Sequence, residues 1–144
     1  MTISGEYVAA EKIENVLIQV PYIGQIFVYG DSYQSFLVAV VVPDEEVVMQ
    51  WIAKKGIQKS NFIESCRDPS LKTEILGQIK ACSKKNGLHG FETVRDIYIE
   101  HEPFSDANGL VTPTFKLKRP QLKDRYATEI SDMYSKFPSI ESKL

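Results

Sequence analysis

The sequence predicts an α+β domain, a small mixed sheet with a β-hairpin flanked by helices. Three observations carry this expectation. Two β-type segments, residues 22–29 and 35–42, are separated by the turn-forming Gly30-Asp31-Ser32, which makes them a hairpin. Residues 36–42 are wholly apolar, so the second strand has no polar face and must be covered on both sides. Apolar residues at helical spacing both precede and follow the pair, so helices supply the cover.

The elements follow in order. A first helix is expected over residues 9–19, because Ile13, Val16, Leu17 and Val20 share one face, and Pro21 ends it. After the hairpin, Asp44 is placed to cap a helix through Lys55, with Val47, Val48, Trp51 and Ile52 inward and Gly56 at its exit. Asp68-Pro69 opens another helix, striped by Leu71, Ile75, Ile79 and Cys82 and stopped at Asn86-Gly87. Over residues 94–101, Ile97 and Ile99 alternate with Asp96, Tyr98 and Glu100, the pattern of a half-buried third strand. Asn108-Gly109 is a turn, and residues 110–115, interrupted by Pro113, read as an edge strand or extended loop. Pro120 sits in the first turn of a single final helix carrying Leu122, Tyr126, Ile130 and Met133. The polar tail from residue 138 to 144 is expected to be disordered.

With 144 residues, one core is expected, and 43% hydrophobic with 25% charged residues excludes collagen-like, disordered and disulfide-scaffold classes. Seventeen basic against nineteen acidic residues argue against a dedicated nucleic-acid binder. Cys66 and Cys82 have no metal-ligand spacing and read as reduced thiols. No apolar run approaches the ~20 residues of a membrane span. The N-terminus has no secretory signal pattern, which makes a reducing, intracellular setting the expectation. Ser142-Lys143-Leu144 spells the tripeptide read by the peroxisomal import receptor, an address and not an anchor.

Among candidate functional residues, the basic cluster Lys116, Lys118, Arg119, Lys123 and Arg125 follows a turn and a Thr-Pro-Thr stretch. A lysine on such a loop is a mobile point charge suited to phosphate or carboxylate, although the spacing alone favours a solvated helix start. Glu11 and Glu14 are accounted for by the helix dipole and by pairing with Lys12 or solvent. His89 and His101 lack ligand-like neighbours and belong at the surface. Glycine-rich phosphate loops and a nucleophile elbow are absent from the sequence.

Two segments resemble a known family. Gly5-Glu-Tyr-Val-Ala-Ala-Glu-Lys-Ile-Glu-Asn15 and Asn108-Gly-Leu-Val-Thr-Pro-Thr-Phe-Lys-Leu-Lys-Arg-Pro-Gln121 look like the C-terminal domain of long-chain acyl-CoA synthetases, members of the adenylate-forming superfamily. Tyr29-Gly-Asp-Ser32, Gly90-Phe-Glu92 and Glu102-Pro-Phe104 fit as well.

The resemblance implies that ATP and a fatty acid form an acyl-adenylate with loss of pyrophosphate, after which CoA displaces AMP. It implies a mobile lid domain over residues 1–137 and a targeting tail over 138–144. It places the family's catalytic lysine, in a Thr-x-x-Gly-Lys-type signature, at Lys116, with Thr112 and Thr114 on its loop and Arg119 in the basic position after it. Phe115 stands where glycine is usual, the habit of the long-chain branch, and Ala10 stands where relatives often carry proline. Gly5, Glu6, Tyr7 and Val8 match the segment that turns toward the active site for thioester formation, lining the pantetheine passage.

Under this resemblance the partner is the chain's own N-terminal adenylation domain, which holds ATP, Mg2+ and fatty acid. The chain is then a natural fragment, a truncated gene model or an excised piece, inactive alone. A stand-alone module binding CoA or another phosphorylated ligand through the basic cluster is the alternative. Nucleic-acid binding by that cluster is opposed by the acidic balance of the whole chain.

Overall fold

The computed structural model describes residues 2, 3, 6–31, 33, 34, 36–56, 61–88 and 90–136, with only the backbone of 2, 3, 6 and 7. Its centre is a three-stranded mixed sheet of β3 (Ile23–Gly30), β4 (Leu37–Pro43) and β5 (Val94–Ile99), in the order β3-β4-β5. The hairpin partners β3 and β4 are antiparallel, from Gly30 opposite Leu37 to Ile23 opposite Pro43. β5 lies parallel to β4, a pairing that demands a long crossover. That crossover is α2 (Glu45–Lys55), α3 (Phe62–Cys66) and α4 (Pro69–Lys85). Before the sheet come a two-stranded ribbon, β1 (Thr2–Ile3) with β2 (Glu6–Tyr7), and α1 (Ala10–Leu17). After it come α5 (Arg119–Arg125) and α6 (Ala127–Ser135).

The apolar run of β4 explains the layering. Successive side chains point to opposite faces, and every residue of β4 is buried. Leu37, Ala39 and Val41 face a layer of Ile13 and Leu17 from α1, Val48 and Ile52 from α2, and Leu71, Ile75 and Ile79 from α4. Val38, Val40 and Val42 face Phe104, Leu110, Leu122, Tyr126, Ile130 and Met133. The expected fold class and central strand are therefore observed, and the caps also fall where expected. Asp44 accepts a bond from the amide of Val47, Asp68 one from that of Ser70, and Gly56 ends α2 at a φ of 69°.

Three expectations are corrected and two elements are added. The first helix ends at Leu17, short of Pro21, because residues 18–22 form turns. The last helix is two helices, broken at Tyr126, whose φ of −109° and ψ of 20° leave the helical region. Helix α3 and the β1–β2 ribbon were not foreseen, being too short to show a period. Asp96 and Glu100 are buried, each 4% exposed, not solvated. Asp96 meets Lys72 of α4 at 2.8 Å and Lys136 beyond α6 at 3.3 Å, so both helices reach over the edge of β5 to it. Among the described residues, no helix is long and apolar enough to cross a membrane.

Candidate functional site

The loop that carries Lys116 is built by local bonds. Asn108 fastens its base: its side-chain oxygen accepts from the amides of Ser105 and Leu110, and its nitrogen donates to the carbonyl of Pro103. Gly109 turns the chain at a φ of 77°, where a Cβ would be strained. Val111 and Leu117 then pair as an antiparallel bridge, and the Thr112 amide donates to the Lys116 carbonyl at 2.8 Å. The hydroxyl of Thr112 accepts from the Lys116 amide and lies 3.1 Å from the hydroxyl of Thr114. Phe115 closes the tip at a φ of 64°, its ring 82% exposed.

The expected loop is thus a tight hairpin with the left-handed position filled by Phe115, a conformation that is costly for a residue with a side chain. Thr112 and Thr114 shape the loop. The Lys116 side chain is exposed, and among the described residues no carboxylate pairs with its ammonium.

Arg119, three residues on, is engaged. Its Nη1 donates to Oε2 of Glu14 at 3.0 Å and its Nη2 to Oε1 at 2.5 Å. The same Oε2 accepts from the amide of Val28 at 2.8 Å. Glu14 is 7% exposed, so its partner is not Lys12 or solvent as the sequence suggested. The bond to Glu14 raises the Arg119 pKa further above its ordinary value, against the effect of burial. The signal for Glu14 was available in the sequence, since a carboxylate between Ile13 and Leu17 lies on the apolar stripe of α1 and needs a partner there.

Two clefts meet at this pair. One, of about 640 Å³, is bordered by Val8, Glu11, Tyr29, Arg119 and Lys123. The other, of about 490 Å³, is bordered by Glu14, Ile18, Gln25, Phe115, Lys116 and Arg119. The structure therefore brings Lys116, Thr112, Thr114, Arg119 and Val8 to one side of the domain. Val8 is 1% exposed and packs in the core. Glu6 and Tyr7 are placed only as the backbone of β2. Gly5, His89 and Ser142-Lys143-Leu144 lie outside the described residues. His101 is half-buried, 3.9 Å from Glu100.

The rest of the basic cluster divides. Arg125 reaches Glu100 at 3.6 Å and stacks over the Tyr126 ring, and Lys123 lies over the Tyr29 ring. Cys66 and Cys82 are free thiols. Among the described residues no group of three or more His, Cys, Asp or Glu side chains could hold a metal ion, so no residue here is assigned to Mg2+.

Residues 12–70 match the family described as AMP-binding enzyme C-terminal domain. The chain is 50% identical over 92% of its length to "Fatty acyl-CoA synthetase A" of Dictyostelium discoideum and spans 20% of that protein. It is 45% identical over 90% of its length to "Long chain acyl-CoA synthetase 6, peroxisomal" of Arabidopsis thaliana and spans 18% of that one. Among solved structures, the adenylation domain of a carboxylate reductase from Mycobacterium chelonae superimposes with a TM-score of 0.78 at 32% identity, covering 94% of this chain and 19% of that one. The chain spans about one fifth of the length of the curated relatives it matches.

Proposed function

We propose, from the premise that this chain is an AMP-binding enzyme C-terminal domain, that it serves as the mobile lid of a long-chain fatty acid CoA ligase. The observation that supports this most is the Lys116 hairpin, an exposed ammonium without a carboxylate partner among the described residues, beside the tip of a loop fastened by Asn108 and Thr112. In the first half-reaction a fatty-acid carboxylate oxygen attacks the α-phosphorus of ATP, the bond to pyrophosphate breaks, and an acyl-adenylate forms. Two anionic groups must be held together for this, and a compact point charge between them lowers the barrier. That is the role proposed for Lys116.

In the second half-reaction the thiol of CoA attacks the acyl carbon, AMP leaves and a thioester remains. For that step the lid turns, and the segment from Gly5 to Val8 lines the pantetheine passage while the Lys116 hairpin points away. ATP, fatty acid and Mg2+ belong to the N-terminal adenylation domain proposed as this lid's partner. Peroxisomal import through its receptor belongs to the same proposal, supported by Ser142-Lys143-Leu144 and by the name of the Arabidopsis relative. The name of the Dictyostelium relative carries no such word.

The test compares two proteins. A polypeptide joining this chain to its adenylation domain should release pyrophosphate from ATP with a long-chain fatty acid and make acyl-CoA when CoA is added, whereas this chain alone should do neither. Pyrophosphate exchange by the pure 144-residue chain, or none by the joined protein, would overturn the proposal.

A further inference from the structure

The Glu14–Arg119 pair does three things at once. Strand β3 is at the edge of the sheet, so amides on its outer side have no strand to bond. Glu14 supplies an acceptor for one of them, that of Val28, and with the rest of its carboxylate takes the fork of Arg119. The pair therefore joins α1, β3 and the first residue of α5. It also stands between the two clefts, one bordered by Val8 and the other by Lys116, and Arg119 borders both.

Position along the chain gives this arrangement its meaning. Arg119 follows Lys116 by three residues, and between them the Lys118 amide donates to the Leu110 carbonyl, which closes the hairpin stem. α1 begins at Ala10, two residues after Val8. A planar fork on a carboxylate fixes orientation as well as distance, which a lysine does not. Free rotation of Arg119 would let the stem of the hairpin turn relative to α1. Held by two bonds, it cannot do so without exposing a buried, unpaired carboxylate.

We propose that Glu14 is a positioning residue for Lys116, acting through Arg119, and that Arg119 is a structural link and not a ligand for substrate. This rests on the reading that Lys116 acts in acyl-adenylate formation. One arrangement then sets the presentation of Lys116 for the first half-reaction, while the second half-reaction, which does not use the hairpin, is indifferent to it.

The experiment uses the joined protein with Glu14→Gln, Arg119→Lys and both changes together. Misplacement of a reacting group by about 1 Å costs roughly 10²-fold, so kcat for adenylate formation is expected to fall about 10- to 100-fold in each single variant. KM for ATP and fatty acid should stay within about twofold, the sign of a loss made only in the transition state. Acyl-CoA formation from supplied acyl-adenylate should be unchanged. The double variant should be no slower than the worse single one, because both changes break the same link.

A raised KM in Arg119→Lys with Glu14→Gln silent would make Arg119 a substrate ligand and overturn the proposal. Additive losses, or equal loss in both half-reactions, would overturn it as well. If the unaltered joined protein makes no acyl-adenylate, the reading of function falls separately. The link is then tested in the chain alone, where Glu14→Gln should shift the NMR amide signals of Thr112, Phe115 and Lys116. Unmoved signals would overturn the link itself.

Discussion

The two faces of the sheet are closed by different means. On one face α1, α2 and α4 lay aliphatic stripes of Ile, Leu and Val against β4, with polar ties added at Glu14 of α1 and Lys72 of α4. On the other face the cover is aromatic and pinned by hydroxyls. The hydroxyl of Tyr126 donates to Glu100 at 3.0 Å, and that of Tyr134 donates to the carbonyl of Phe36 at 3.0 Å while accepting from the amide of Asp31 at 3.3 Å. The helices there are short, and a long irregular stretch between β5 and α5 must be held in place. Gln25 does part of this, bonding both the amide and the carbonyl of Phe104. The difference teaches that the loop bearing Lys116 is fixed at points, whereas the scaffold behind it is fixed by area.

The largest expected effect tests that division directly. Ile75 and Leu122 are both fully buried, one on each face. Truncating either to alanine should cost about 2–5 kcal/mol in denaturant unfolding of this chain. Their functional consequences should part company in the joined protein. Ile75→Ala, assayed below its melting point, should leave both half-reactions at normal rates, while Leu122→Ala, in the turn that anchors the hairpin stem, should slow adenylate formation selectively. Equal functional losses would erase the distinction between the faces.

Next in size is Lys116 itself. Removing one preorganised donor typically costs about 2.7–4 kcal/mol, or ~10²–10³ in rate, so Lys116→Ala should slow pyrophosphate release by that order with thioester formation from ready-made acyl-adenylate nearly normal. Arginine should rescue only in part. Lys118→Ala, on the same stem, should change neither step appreciably, and an equal loss there would make the site a diffuse patch of charge.

What the sequence revealed follows the same division. The aliphatic face was legible because each of its helices repeats a 3.6-residue stripe, and α2 and α4 also carry caps at Asp44, Gly56 and Asp68. Lys116, Thr112 and Thr114 were legible as residue types on a turn. Asp96 and Glu100 were not, because a carboxylate reads as solvated until its cation is known, and for Glu14 the apolar stripe signals burial but not its partner; Lys72, Arg125 and Arg119 are distant in sequence. The break at Tyr126 was hidden for a related reason. Leu122, Tyr126 and Ile130 keep helical spacing across it, so the stripe continues although the backbone does not.

A smaller effect separates the faces by pH. Cys66 of α3, which packs against α2 and α4, has its pKa pushed up by burial, with Glu100 adding, from 9.0 to about 11. The native state keeps that proton where the unfolded chain loses it, so above about pH 9 the unfolded state binds fewer protons and stability falls as pH rises. The fall is about 1.4 kcal/mol per unit of difference in pKa. Tyr126 and Tyr134 are also raised, chiefly by burial, but their unfolded reference is 10.0. Chemical denaturation from pH 8 to 11 should therefore show a decline starting near 9 that Cys66→Ala removes, and a steeper one above 10 that it leaves. A single onset near 10 in both proteins would mean that the thiol titrates alike in the native and unfolded states.

The smallest effect concerns the tip of the hairpin. Phe115 holds a left-handed conformation that costs a residue with a side chain roughly 1–2 kcal/mol, and its exposed ring recovers little of this by burial. Phe115→Gly removes the strain but frees the unfolded chain, a penalty of roughly 0.4–1 kcal/mol. The strain is the larger of the two, so the variant should be equally or slightly more stable, by roughly 0–1.6 kcal/mol. The bonds of the tip are main-chain or come from Thr112, so glycine keeps them. Phe115→Val should lose stability, since a β-branched side chain resists this conformation. Differential scanning calorimetry of the three proteins checks the order. If glycine lowers stability by more than about 1 kcal/mol, the ring is packing on Ile18 or Leu117 across the second cleft, and the hairpin would then be held by area as well as by points, closing the gap between the two faces from which the prediction starts.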